Sequence, residues 1–202
     1  MVEWFKEYWY LAVIFAVVCL VAAVIFYFAG KSYSKYRASY KSQEAEIKRL
    51  LALKEKFVPL TEKAITESDD LETLEGTALS YQLFLQKQDD MEKEFALMSE
   101  EKRYIYTLDV FVQDKSISDF FRENGDILRM EITKAISLIG MTEFAEKIEK
   151  IRKMFDGNDE TVSLSEAEIE NLQSYIDEND ILTTIKLKSA EYIKNNFQLF
   201  VN

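Results

Sequence analysis

The longest uncharged stretch of the sequence, residues 8–30, constrains the fold more than any other feature. It contains no Asp, Glu, Lys or Arg, and most of its residues are Val, Ile, Leu, Phe or Ala. A helix that rises ~1.5 Å per residue crosses the ~30 Å hydrocarbon core of a bilayer with about 20 residues, and its backbone groups pair with one another. We therefore predict an uncleaved transmembrane helix over residues 10–30, in contact with membrane lipid.

Basic residues on the C-terminal side of this stretch predict its orientation. Four of them are expected at the membrane interface: Lys31, Lys35, Arg37 and Lys41. Only Lys6 lies on the N-terminal side, and Lys and Arg flanks stay in the cytoplasm. We expect a single-pass protein of the inner (plasma) membrane, with its N-terminus outside and the rest of the chain cytoplasmic.

Small side chains share one face of the predicted membrane helix. They are Ala12, Ala16, Cys19 and Ala23. Small residues let two membrane helices approach closely, but no GxxxG pattern is present. We expect at most weak self-association through this face.

The residue types that are missing exclude several classes of chemistry. The chain has no His, and its single Cys, Cys19, lies in the uncharged stretch. His-dependent triads, Cys nucleophiles, Zn sites and structural disulfides are therefore excluded from the remainder of the chain. The five Gly form no phosphate-binding pattern. We expect no catalytic residues, no cofactor and no metal.

The charge balance indicates the kind of partner. The sequence has 36 Asp and Glu against 25 Lys and Arg, for a net charge of −11. An acidic surface repels nucleic acid and attracts basic proteins. We expect a protein partner and no direct contact with nucleic acid.

The spacing of apolar residues by three and four, with one Pro in the chain, predicts an all-helical protein. The predicted organisation is a short external tail (1–9), the transmembrane helix (10–30), a basic juxtamembrane segment with a helical stalk (31–58) and a compact acidic all-helical domain (59–202). Pro59 is expected to end the stalk helix and Gly76 to interrupt the following segment. Gly140 separates two predicted helices, 127–139 and 142–155, which form a helical hairpin.

Short motifs in the last part of the chain carry a family resemblance. They are Asp109-Val110, Phe120-Phe121, Asn124-Gly125 and the stretch Ala135 to Gly140. With them, residues 80–200 resemble the C-terminal-like helical domain of a bacterial DNA-mimic protein, a domain family of unknown function. The Asn-Gly-Gly turn of that family is missing. The resemblance implies a small helical binding domain without established catalysis.

The motif residues are expected to be structural. Phe120 and Phe121 are predicted to pack in the core. Asn124 and Gly125 are predicted to end a helix, because both residue types tolerate the left-handed conformation. Asp109 and Gly140 are the other residues of the motifs that carry the resemblance, and they are also expected to be structural.

Four functions remain open at this point. The leading hypothesis is a non-enzymatic membrane-anchored protein whose acidic helical domain binds another protein. A toxin-immunity protein would share this architecture. A carboxylate-dependent enzyme would use a pair such as Asp109 with Asp119, or Glu123 with Asp126.

DNA mimicry is the remaining alternative, in which acidic side chains bind a basic protein in place of DNA. The candidate contact face consists of Asp69, Asp70, Glu72, Asp89 and Asp90. A charge run of this kind is usually a solvated face.

Overall fold

The computed structural model describes residues 43–114, 116–156 and 166–201, and within these ranges all regular structure is helical. The prediction of an all-α protein is therefore confirmed. The chain divides into two compact units, Met1–Leu51 and Ala52–Asn202.

Residues 43–51, which are the described part of the first unit, form a helix with charged pairs along its surface. The ammonium of Lys48 lies 2.8 Å from Glu44, and the guanidinium of Arg49 lies 2.8 Å from Glu46. Such exposed pairs one turn apart each stabilise a helix by ~0.2 to 0.5 kcal/mol.

The described residues form a succession of helices. These are α1 (43–57), α2 (Glu62–Thr66), α3 (Asp70–Leu85), α4 (Met91–Leu97), α5 (Glu100–Gln113), α6 (Ile117–Glu123), α7 (Asp126–Leu138), α8 (Thr142–Asp156), α9 (Glu166–Glu178) and α10 (Ile181–Asn195), followed by a 3₁₀ turn at Phe197–Leu199.

Polar side chains at the N-cap position begin four of these helices. They are Thr61 for α2, Asp69 for α3, Asp90 for α4 and Ser116 for α6. Each side-chain oxygen accepts a hydrogen bond from a backbone N–H of the first turn, at 2.9 to 3.1 Å. A cap of this type stabilises a helix by ~1 kcal/mol.

The core of the second unit is built around α5. This helix packs against α3, α7 and α10, while α10 also packs against α3 and α7 packs against α8. The largest side chains with no exposed surface near this centre are Ile105, Leu108, Phe120, Phe121, Ile132, Ile136, Ile148, Ile185 and Phe200. A smaller cluster joins Leu53, Phe57 and Ala64.

The end of α1 belongs to the second unit. Leu53 and Phe57 are 3% and 0% exposed, and both pack in the smaller cluster. The predicted division of the chain at residue 58 stays a prediction.

The predicted interruption at Gly76 is wrong. This glycine lies inside α3, which continues from Asp70 to Leu85. It is buried against Phe57, so its small size serves packing rather than a turn.

The transmembrane helix in the predicted fold class requires a correction. Within residues 43–114, 116–156 and 166–201, no helix is both long and apolar enough to cross a membrane. Each of these helices contains charged residues, whereas a membrane span is apolar all round. The segment 10–30 and the interface residues Lys31, Lys35, Arg37 and Lys41 lie outside the described residues. The predicted cellular location stays a prediction.

Candidate docking groove

A groove of about 600 Å³ lies between α4, α5 and the start of α7. We call it the α4–α7 groove. Its apolar lining consists of Leu85, Met91, Phe95, Tyr106, Ile127 and Leu128. The size and the apolar lining fit a site that accepts large side chains of a ligand.

Two aromatic rings form a rigid base for the groove. Phe95 is 6% exposed, and its ring centroid lies 5.4 Å from that of Tyr106, in a tilted arrangement. Burial, followed by the nearby carboxylate of Asp109, raises the pKa of Tyr106. The phenol therefore stays neutral, and the base of the groove carries no charge.

Flexible apolar side chains stand at the edge of the groove. Met91 at the start of α4 is 47% exposed, and Ile127 in the first turn of α7 is 37% exposed. Exposed apolar side chains that surround a cavity are typical of an interaction site, and Met adapts its shape to different partners.

The charged groups of the lining give the groove an acidic rim. Glu92 is exposed, and the side chain of Asp126 is 80% exposed. Arg129 is the basic lining residue, but its side chain is only 23% exposed. Its guanidinium pairs with Asp126 and donates to the carbonyl of Phe121 at 3.2 Å. The carboxylates therefore face solvent more than the guanidinium does.

Asn124 and Gly125, which were predicted to end a helix, also line the groove. The Asn124 amide donates to Asp114 at 2.8 Å and to the carbonyl of Phe120 at 3.0 Å, which ends α6. Gly125 precedes α7 with φ −66°, and Asn124 has φ −94°. The expectation of a left-handed residue at this junction is wrong. Side-chain hydrogen bonds end α6 instead.

The other motif residues lie in the core or at a turn. Phe120 and Phe121 are fully buried, and their ring centroids lie 5.2 Å apart in an edge-to-face contact. Asp109 is 8% exposed and accepts a hydrogen bond from Gln113 at 2.6 Å. Gly140 has φ +75°, and this left-handed residue turns the chain from α7 into α8.

The proposed acidic contact face is split between the two ends of α3. Asp69, Asp70 and Glu72 lie at its start, whereas Asp89 and Asp90 follow its end. The 16 residues of α3 span ~24 Å at 1.5 Å per residue, so the two groups do not form one cluster. Asp70 also pairs with Lys194, and Glu72 pairs with Lys56 at 2.9 Å. DNA mimicry stays a prediction.

The carboxylates considered for catalysis differ in their surroundings. Asp109 is buried in α5. Burial raises the pKa of Asp114, and the nearby carboxylates of Glu123 and Asp119 also raise it. Within the part of the chain that the structure describes, no three His, Cys, Asp or Glu side chains are placed to hold a metal ion.

No protein-family model matches the chain, and comparison with curated proteins and with solved structures finds no similar protein. The family resemblance carried by the motifs of residues 80–200 therefore stays a prediction.

Sequence reasoning did not identify the apolar residues of the groove. Met91, Phe95 and Tyr106 come from separate parts of two helices, and Ile127 comes from a third. The available signal was the apolar Met91 and Ile127 among the acidic residues that begin α4 and α7. A single such residue on a surface is common and does not indicate a site.

Proposed function

We propose that the chain is a protein-binding module that receives a basic, amphipathic helix of a partner protein in the α4–α7 groove. The observation that carries the proposal is the exposure of Met91 and Ile127 beside an uncharged aromatic base with an acidic rim. A helix that lays its apolar face in such a groove is a recurrent mode of peptide recognition.

Burial of the exposed apolar side chains would supply the attraction. Fully covering a Met or Ile side chain contributes ~1.5 to 3 kcal/mol. Met91 and Ile127 are already partly covered, so each contributes less than this. Further attraction comes from apolar side chains of the partner, which would lie over Phe95 and Tyr106. A few such anchors normally provide most of the energy of an interface.

The acidic rim selects the partner's charge. Glu92 and Asp126 would face Lys or Arg side chains on the partner helix, beside its apolar stripe. The net charge of −11 adds a long-range attraction for a cationic partner. Charge of this kind mainly raises the association rate and weakens with salt.

A synthetic peptide tests this proposal with the full-length chain. The probe is a fluorescent amphipathic helix with Leu on one face and Lys on the other, and the matched peptide carries Glu in place of Lys. We expect the Lys peptide to bind in anisotropy titrations and the Glu peptide to bind at least about tenfold more weakly. We expect Met91→Lys and Ile127→Lys to weaken binding of the Lys peptide by about tenfold each.

Leu187→Lys is the matched control, because Leu187 on α10 is 45% exposed and does not line the groove. This variant should bind the Lys peptide like the unmodified chain. Equal affinity for the two peptides, or equal effects of the three substitutions, would contradict the proposal.

A further inference from the structure

A second groove, of about 470 Å³, has walls from α3, from the connection between α4 and α5, and from the segment after α1. We call it the α3–α5 groove. Its apolar walls include Val58, Leu60, Leu83, Phe84, Leu97 and Met98. It shares no lining residue with the α4–α7 groove.

The base of the α3–α5 groove is aromatic and neutral. Tyr81 is 5% exposed, Phe200 is fully buried, and the Tyr81 hydroxyl donates to the Phe200 carbonyl at 3.4 Å. Burial raises the pKa of Tyr81, so its hydroxyl does not ionise near neutral pH. The base therefore carries no charge, and the accessible apolar surface of the groove belongs to its walls.

Two lysines accompany this apolar surface. Lys87 follows the end of α3 and is exposed, and Lys102 lies in the first turn of α5. The Lys102 ammonium lies 5.9 Å from the centroid of the Tyr81 ring, which places a positive charge beside the base of the groove.

The charge of this groove is opposite to that of the chain. None of the described residues that line it is Asp or Glu, although the chain has 36 acidic residues against 25 basic ones. The α4–α7 groove, by comparison, has Glu92 and Asp126 in its lining. An anion is therefore favoured in the α3–α5 groove and disfavoured in the other.

Apolar surface extends from the base to the edge of the α3–α5 groove. Phe84 is 48% exposed and Leu97 is 70% exposed. A ligand with a long apolar part would cover both side chains, whereas a small inorganic anion would leave them in water.

We propose that the α3–α5 groove binds an amphiphilic carboxylate, with the carboxylate near Lys87 and Lys102 and an aliphatic tail over Phe84 and Leu97. The volume of about 470 Å³ lies within the ~300 to 1,000 Å³ typical of sites for small organic ligands. This site is separate from the one proposed for protein binding, and either can fail without the other.

Dodecanoate is the probe, titrated calorimetrically into the full-length chain below its micelle concentration. Dodecan-1-ol and dodecyltrimethylammonium have the same tail with a neutral and a cationic head group. We expect dodecanoate to bind at least about tenfold more tightly than the alcohol, and the cation to bind most weakly. Equal affinity of the unmodified chain for dodecanoate and for the alcohol would by itself overturn the proposal.

Lysine substitutions locate the binding. Lys87→Met and Lys102→Met keep an apolar stem and remove the charge, so each should weaken dodecanoate several-fold, and the double variant should lose the preference over the alcohol. Lys150→Met is the control, because Lys150 lines a different groove, between α8 and α9. Met91→Lys, in the α4–α7 groove, should also leave dodecanoate binding unchanged. A loss at Lys150 equal to that at Lys102 would overturn the assignment of the site.

Discussion

The ring of Phe57 lies directly against the backbone of Gly76: a β-carbon on this glycine would come within 2.3 Å of two ring atoms. Phe57 has no exposed surface, and Gly76 lies in the middle of α3. A helix–ring contact this close is possible only where the helix has no side chain. It fixes the end of α1 on the second unit of the chain.

Gly76→Ala should destabilise the protein, even though Ala is the better helix former. Overpacking costs ~1 to 3 kcal/mol, and the gain in helix propensity offsets up to ~1 kcal/mol of this. We expect a net loss of ~1 to 2 kcal/mol in the free energy of unfolding, measured by urea denaturation. In a Phe57→Ala background the same substitution should be neutral or stabilising, because the clash is gone.

Gly125→Ala is the matched control for Gly76→Ala. Gly125 has φ −66°, and a β-carbon there would meet no described atom within 4 Å. We expect this variant to lose less than ~1 kcal/mol, because no clash arises and the loss comes only from Ala being a poorer N-cap than Gly. An equal loss at both glycines would show that Phe57 does not cause the effect.

Gly140→Ala should destabilise the hairpin of α7 and α8 for a different reason. The space around Gly140 is open, but its φ of +75° is unfavourable for a residue with a β-carbon. We expect a loss of ~1 to 2 kcal/mol for Ala and a smaller loss for Asn, which tolerates this conformation. Thermal unfolding of the two variants measures the difference. Equal losses would show that backbone strain is not the cause.

Arg103→Met should be among the more destabilising substitutions of a charged residue in the domain. The Arg103 guanidinium donates to Glu131 at 2.6 Å and to the carbonyls of Ala96 and Met98 at 3.2 and 2.8 Å. The two charged side chains are only 17% and 12% exposed. Removal of Arg103 leaves a largely buried carboxylate without its cation, so we expect a loss of ~3 kcal/mol in denaturant unfolding.

The double variant Arg103→Met with Glu131→Leu should recover part of this loss, because no uncompensated charge remains. Lys56→Met provides the comparison with an exposed pair, since Lys56 and Glu72 are 40% and 45% exposed. It should cost less than ~1 kcal/mol. If Arg103→Met lowered the free energy of unfolding by as little as Lys56→Met, burial of the ion pair would not explain the effect of Arg103.

Glu149 should make stability depend on pH in the acid range. The hydrogen bond from Arg152 has the largest effect on the pKa of Glu149, burial opposes it, and the hydrogen bond from Thr133 adds a smaller lowering. Together with the nearby charges of Arg152 and Lys153, they lower the pKa from 4.5 to about 2. A lowered pKa in the folded state stabilises the protein above the unfolded-state pKa, and the stabilisation disappears as the pH falls through the folded-state value.

Glu149→Gln should therefore be less stable than the unmodified chain by ~1 to 2 kcal/mol above pH 4.5, and the difference should vanish as the pH falls to about 2. Urea denaturation from neutral to acid pH measures this. Glu146→Gln is the control for an exposed carboxylate on the same helix, and it should change stability by less than ~0.5 kcal/mol. A difference at Glu149 that stays constant with pH would contradict the assignment.

Helix boundaries that depend on nearby residues could be predicted from the sequence. The hairpin predicted at 127–139 and 142–155 agrees with α7 and α8 to within a residue or so, because Gly140 and the spacing of Ile132 and Ile136 are local signals. The short helix α4 was not predicted, and the function of Gly76 was misjudged. In both cases the decisive contacts come from other helices.

The sequence by itself determined the helical class of the domain, the position of the hairpin of α7 and α8, the acidity of the chain and the absence of His chemistry. These depend on composition or on residues within one or two turns of each other. Only the tertiary structure decided that Gly76 contacts Phe57 and that Arg103 pairs with Glu131. It also decided that two grooves form with no lining residue in common, one with acidic residues and one with lysines. Such contacts join residues far apart in the chain, and no periodic pattern specifies which exposed side chains will meet around one cavity.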